Sequence, residues 1–166
     1  MDATIIERMI APLKSSDDFY FLGDMGSNES SIKRFFDSLP KGVKFYWILG
    51  NHDQPKTVDK FRNHCHYVGH MCDTKIVIGE PMRGKPRQHI VMAHYPMITW
   101  DRSHYNSWQL FGHHHAASWK HDEIPWRANG KQLNVNCEFF GYEAVNEIYL
   151  AEIMATKPNN WDLIPK

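Results

Sequence analysis

The stretch that most constrains this chain is Ile48-Leu49-Gly50-Asn51-His52-Asp53, where an apolar run stops at a glycine and three polar side chains follow at once. Its lead-in, Val43 to Leu49, is β-branched and aromatic and is bounded by Gly42, the pattern of a buried strand. Gly50 allows a sharp turn at the strand's carboxyl end, which is where open α/β sheets place their ligands. Asn51 offers a metal a neutral amide oxygen, and His52 exchanges a proton near neutral pH. Taken alone, the tetrad reads equally well as a turn carrying a solvated histidine.

The same design recurs along the chain. Phe19 to Leu22 predicts a short buried strand ending at Gly23-Asp24; Gln88 to Ala93 predicts one ending at His94; Trp108 to Phe111 predicts one ending at Gly112-His113-His114-His115. Four strand ends therefore present Asp24, Asn51 with His52, His94, and His113 with His115. Carboxylate, amide oxygen and imidazole together suit a borderline or hard divalent ion such as Mn, Fe, Zn or Mg. His113 and His115 are two residues apart and point the same way if the backbone is extended. Any one of these histidines is explained by a local hydrogen bond, but four strand ends sharing one chemistry call for a common site.

The remaining pattern is that of one α/β domain over residues 1–157 with a tail at 158–166. Ile5, Ile6, Met9, Ile10 and Leu13 form a helical stripe over residues 3–13, with Asp2 available as N-cap. Ile32, Phe35, Phe36 and Leu39 mark a second helix stopped by Pro40, and Pro55 to Arg62 a third that opens on proline. Cys65 to Val68, Thr74 to Gly79 and Leu133 to Cys137 read as strands, and Glu143 to Ala155 as a helix or an extended arm. Residues 81–86 read as a polar hairpin, 96–107 as a loop and 116–130 as irregular. Lys plus Arg equals Asp plus Glu, 19 each, so no global field favours a large nucleic-acid duplex or an anionic membrane. Three cysteines without zinc-type spacing suggest reduced thiols and a cytoplasmic setting, and no run is long and apolar enough to span a bilayer.

Leu22-Gly23-Asp24, Gly50-Asn51-His52-Asp53, Ala93-His94-Tyr95-Pro96 and Gly112-His113-His114-His115, in this order, resemble the calcineurin-like metallophosphoesterase superfamily, in particular its small bacterial and phage-type members. The resemblance covers nearly the whole chain. It implies an αββα sandwich, two β-sheets flanked by helices. It also implies one or two divalent ions, with Mn favoured among Mn, Fe, Zn, Ni and Mg. Asp24 would bridge two metals; Asn51, His94 and His113 would complete the second metal's shell; His115 would bind the first. His52 would protonate the leaving oxygen or stabilise the charge on phosphate, and a metal-bound hydroxide would attack a small phosphodiester or phosphomonoester. Asp53 would cap the turn or support the ligands.

The chain departs from the family pattern in two places. The Asp-x-His motif of the family's first strand is absent, and with it that strand. A late start, a natural single-metal variant or a binding-only relative would each account for the gap, and Asp17, Asp101 or His121 are the candidate substitutes. The alternative function is accordingly a catalytically impaired relative that binds a phosphorylated ligand or a protein. A homodimer would cover the open sheet edge. After Asp24 the chain reads Met25-Gly26-Ser27-Asn28-Glu29, which lacks the Asp-Arg-Gly of the protein Ser/Thr phosphatases.

Other signals carry less. Gly79 to Lys85 nearly fits a phosphate loop, but Pro86 stands where Ser or Thr is needed. Arg83, Lys85 and Arg87 form a small basic hairpin. Trp100, Tyr105 and Trp108 are core or loop-anchoring aromatics in the first instance and base-stacking groups in the second.

Overall fold

The computed structural model describes residues 3–79, 84, 86–115 and 130–160. Asp2 as a cap, Arg83 and Lys85 of the basic hairpin, His121 and the end of the tail lie outside the described residues.

Alternation along two strands sets the layers. In β1 (Asp18–Phe21) and β2 (Lys44–Ile48), Phe19, Phe21, Phe45 and Trp47 fall on one face, and Tyr20, Tyr46 and Ile48 on the other. The two strands pair in parallel, Phe19 against Phe45 and Phe21 against Trp47, and β3 (Tyr67–Gly69) adds to β2 in the same sense. Parallel neighbours need crossovers, and α2 (Glu29–Ser38) and α3 (Pro55–Phe61) supply them. These two helices and α1 (Ala3–Ile10) bury Ile6, Met9, Ile32, Phe35, Phe36, Val58 and Phe61 against the odd-numbered face. The Asn28 side chain caps α2 by accepting from the Ser31 amide at 3.1 Å, and Pro55 opens α3 where no amide proton is needed. The α1 stripe stops at Ile10 rather than Leu13, because Pro12 has no amide hydrogen for the next helical bond.

The other face of the first sheet meets a second sheet of β4 (Met71–Val77), β5 (Arg87–Ala93), β6 (Trp108–Phe111) and β7 (Gln132–Asn134), in that order. β4 and β5 are antiparallel, and the remaining pairs are parallel. Ile48, Ile90, Met92, Trp108 and Leu110 make the inner core, joined by Leu150 and Met154 of α4 (Glu147–Ala155). Among the described residues, two sheets and four helices thus form the mixed α/β fold that the sequence predicts. β1 is an edge strand, and no described strand lies beyond it.

On the far side of the second sheet, residues 95–107 run over the odd-numbered residues of β5 and β6. The Gln109 and Gln132 side-chain amides donate to the carbonyls of Tyr95 and Met97 at 3.4 and 2.8 Å. Trp100 and Trp108 are buried, so their indoles are core and a stacking role falls away, whereas Tyr105 is 75% exposed. The near-match to a phosphate loop lies between two antiparallel strands, and a strand rather than a helix comes after it. Further along, the predicted strand at Leu133–Cys137 stops at Asn134, whose side chain accepts from the Asn136 amide at 3.0 Å and turns the chain into a short 3-10 segment at Cys137–Phe140. Residues 147–155 are helical rather than an extended arm, capped by Asn146.

Phe35 is fully buried and meets Phe19, Phe21, Phe36 and Phe45 at centroid separations of 5.5–6.2 Å. Phe35→Ala is expected to cost about 3–5 kcal/mol in urea unfolding. Lys33→Ala, which removes an exposed i,i+4 ion pair, is expected to stay within about 0.5 kcal/mol.

Candidate metal centre

Two strand ends approach each other where β1 and β2 stop. Gly23 has φ +93°, and a Cβ there would lie 2.5 Å from His94 Nδ1 and 2.7 Å from the Gly50 nitrogen. A Cβ on Gly50 would run into the Asp24 carboxylate, and would lie 2.7 Å from the Asp24 nitrogen. Gly50 is therefore needed for close approach and has no positive φ; the chain turns directly after it, at Asn51 and His52, and the glycine with positive φ is Gly23 at the other strand end. Asp24 itself takes the left-handed conformation, φ 59°, which Asp tolerates better than most residues.

Asp53 holds this junction closed. Its Oδ2 accepts from the Asp24 amide at 2.9 Å, the Gly50 amide at 2.8 Å and the Trp47 indole at 3.1 Å; its Oδ1 accepts from the Met25 amide at 2.9 Å. Both oxygens are thereby occupied, and Asp53 supports the site without facing it. The His52 amide in turn donates to Asp24 Oδ1 at 2.8 Å, which fixes that carboxylate's rotation.

The second sheet supplies the imidazoles. His94 follows β5 and is 2% exposed; its Nδ1 lies 2.7 Å from the Leu22 carbonyl. A carbonyl only accepts, so Nδ1 carries the proton and Nε2 presents a lone pair to the interior of the cluster. Around that Nε2 stand Asp24 Oδ2 at 3.2 Å, Asn51 Oδ1 at 3.1 Å and His113 Nδ1 at 3.0 Å. His113 is set by the strand ladder, since its amide donates to the His94 carbonyl at 2.9 Å. The ligand atoms of Asp24, His94 and His113 all lie within 4.8 Å of one another. Burial, and then the neighbouring His94, hold the His113 imidazole below its ordinary value of 6.5 and so favour the neutral, ligating form.

Four of the sequence-predicted residues, Asp24, Asn51, His94 and His113, are thus brought together. His52 stands beside them through its backbone amide, and its side chain is exposed. His115 is not brought into the cluster of Asp24, His94 and His113; its Nδ1 pairs with Glu138 Oε1 at 2.8 Å. Two residues escaped the sequence reading. Tyr95 donates its hydroxyl to Asn51 Oδ1 at 3.2 Å and lies 4.6 Å, ring to ring, from His113; its position directly after His94 was the available signal. Glu138 sits on the 3-10 segment, 23 residues from its partner, and carried none.

Four outcomes are expected. Gly50→Ala should displace Asp24 and abolish metal affinity at this centre, while Asp53→Ala should cost about 3 kcal/mol in unfolding because three amides and an indole lose their acceptor. In metal-free protein the His113 imidazole should titrate below 6.5, read by NMR. Because the folded state then binds fewer protons than the unfolded one, stability should fall as pH drops from 6.5 toward the depressed value.

No family model matches the chain. It is 26% identical over 148 residues to an uncharacterized protein of Methanocaldococcus jannaschii, MJ1445, an alignment covering 88% of this chain and 70% of that protein. The crystal structure of AQ665 from Aquifex aeolicus, a protein of unknown function, superposes with a TM-score of 0.59 at 20% identity, over 90% of this chain and 83% of the other. That likeness shows the fold: two sheets and their helices arranged as in a protein already solved by crystallography.

Proposed function

We propose that this chain is a metal-dependent phosphoesterase of the metallophosphoesterase type, acting on a small phosphodiester or phosphomonoester. The observation that carries the reading is the convergence on His94 Nε2 of a carboxylate, an amide oxygen and a second imidazole, all within 3.2 Å. The Leu22 carbonyl takes the only proton of a neutral His94, so the group is rich in lone pairs, which is what a divalent cation requires. Asp24, Asn51, His94 and His113 would hold the ion; bound there, it would supply Lewis acidity toward a phosphoryl oxygen and toward water.

The chain's own groups have separable tasks. Asp53 and Leu22 position ligands and stay away from substrate. His52, exposed and anchored next to Asp24 through its amide, is the group for proton transfer to the leaving oxygen. The Tyr95 hydroxyl turns Asn51 so that its amide oxygen faces His94. A second ion is not supported in the same way, because His115 is engaged by Glu138.

Hydrolysis of bis(p-nitrophenyl) phosphate with Mn2+, in the parent and in His52→Ala, tests the reading. Metal-dependent turnover that falls about 100-fold or more in His52→Ala is expected for loss of a general acid. No turnover with any divalent metal, together with retained binding of a phosphorylated ligand, would instead establish the impaired, binding-only alternative.

A further inference from the structure

A second set of metal-capable side chains lies on the opposite face of the second sheet. β4 and β5 pair with Asp73 opposite Val91 and Lys75 opposite His89, so Asp73 and His89 are diagonal neighbours on one face. That face is covered by the 95–107 segment, which brings in Asp101. The Asp101 carboxylate comes to 3.7 Å from His89 Nε2, and Asp73 Oδ1 is in direct contact with the same nitrogen. One ligand atom from each of the three residues lies within 4.8 Å of the others.

The segment is held independently of these contacts. The Ser107 hydroxyl donates to the Asp101 carbonyl at 2.6 Å, the Trp100 indole to the Ser107 carbonyl at 3.4 Å, and the Gln88 side-chain amide to the Asn106 carbonyl at 2.7 Å. Asp101 is therefore delivered by a fixed backbone. His89 is only 11% exposed in its side chain, and its Nδ1 is buried with no hydrogen-bond partner among the described residues, so Nε2 is the nitrogen through which the ring meets its neighbours.

The electrostatics are unbalanced. His89 Nε2 is hydrogen-bonded to the Asp73 carboxylate, and Asp101 brings a second acceptor to the same nitrogen, so a neutral His89 offers one N–H to two carboxylates where a cation would satisfy both. Arg102 Nε lies 3.9 Å from Asp101 Oδ2, but both side chains are more than half exposed, and such a pair is worth little. Ligands about 2.0–2.2 Å from a metal stand roughly 3–3.6 Å from one another, close to the spacing of His89 and Asp101. Opening the Asp73–His89 contact to that distance is a side-chain movement only. One imidazole with two carboxylates selects a borderline ion such as Zn2+ over Ca2+ or Mg2+.

We propose that Asp73, His89 and Asp101 form a second divalent-cation site, separate from the Asp24 centre, at which a Zn2+-class ion fastens the 100–107 segment to the β4–β5 ladder. The site does not depend on the phosphoesterase reading and would stand if the chain turned over no ester.

Zn2+ titration of the full chain, with side-chain 15N NMR of the histidines alongside equilibrium dialysis, tests it. The His89 Nε2 signal should shift on Zn2+ addition, separately from that of His94, and Asp73→Asn/Asp101→Asn should bind one equivalent less than the parent. Asp101→Asn alone, an exposed change, should weaken that equivalent about tenfold or more. Amides of residues 101–107 should exchange more slowly with Zn2+ present in the parent and not in the double variant. An unmoved His89 signal at saturating Zn2+, or equal stoichiometry in parent and variant, would overturn the proposal; a shift at His94 alone would do so while leaving the Asp24 centre intact.

Discussion

One carboxylate, that of Asp53, allows the ends of two parallel strands to meet without stranding their amides. Where β1 and β2 stop, the Asp24, Met25 and Gly50 amides and the Trp47 indole all donate to Asp53. Buried or half-buried donors left unpaired would cost about 1–3 kcal/mol each, so a single acidic side chain replaces a large penalty with charge-assisted bonds. The approach is possible only because Gly23 and Gly50 lack side chains where each faces the other strand end. With the two ends this close, the Asp24 carboxylate is turned out of the junction and toward the second sheet, where it meets His94 at 3.2 Å.

The second sheet answers with histidines because its ladder extends to the same height. The His94 carbonyl accepts from the Gly112 and His113 amides at 3.1 and 2.9 Å, which aligns the ends of β5 and β6 and stands the two imidazoles 4.9 Å apart, centre to centre. The sheets are linked across this gap by the His94 Nδ1 bond to the Leu22 carbonyl, so the ring that would ligate also joins the layers. A divalent ion at the cluster would accordingly stabilise the contact between the sheets as well as serve chemistry. Away from this junction the chain's three cysteines remain free thiols, and burial pushes Cys65 up to about 11, which leaves it inert at neutral pH.

Much of this was legible in the sequence because each strand end combines an apolar run with a glycine or polar stop. The strands read at Phe19 to Leu22, Val43 to Leu49, Gln88 to Ala93 and Trp108 to Phe111 coincide with β1, β2, β5 and β6, whereas the division of β1 and β2 between two cores appears only once the sheets are stacked. Harder to read were features that depend on distance in space. The spacing of His113 and His115 suggests a shared face, but that holds only for extended backbone, and Glu138 draws His115 elsewhere. Asp53 reads in the sequence as a group that caps the turn or supports the ligands, and its four hydrogen bonds agree; what the sequence does not give is that its donors include Asp24 and Met25, from the other strand end. Asp73, His89 and Asp101 come from a diagonal strand pair and a covering loop, a juxtaposition set by register and tertiary path alone.

Binding of a divalent cation by Asp24, Asn51, His94 and His113 is the central claim. Anomalous diffraction from crystals of the chain grown with Mn2+ or Zn2+ tests it most directly. A peak within about 2.0–2.3 Å of ligand atoms of Asp24, Asn51, His94 and His113 is the predicted result. Crystals saturated with either ion and showing no density among these four side chains would contradict it.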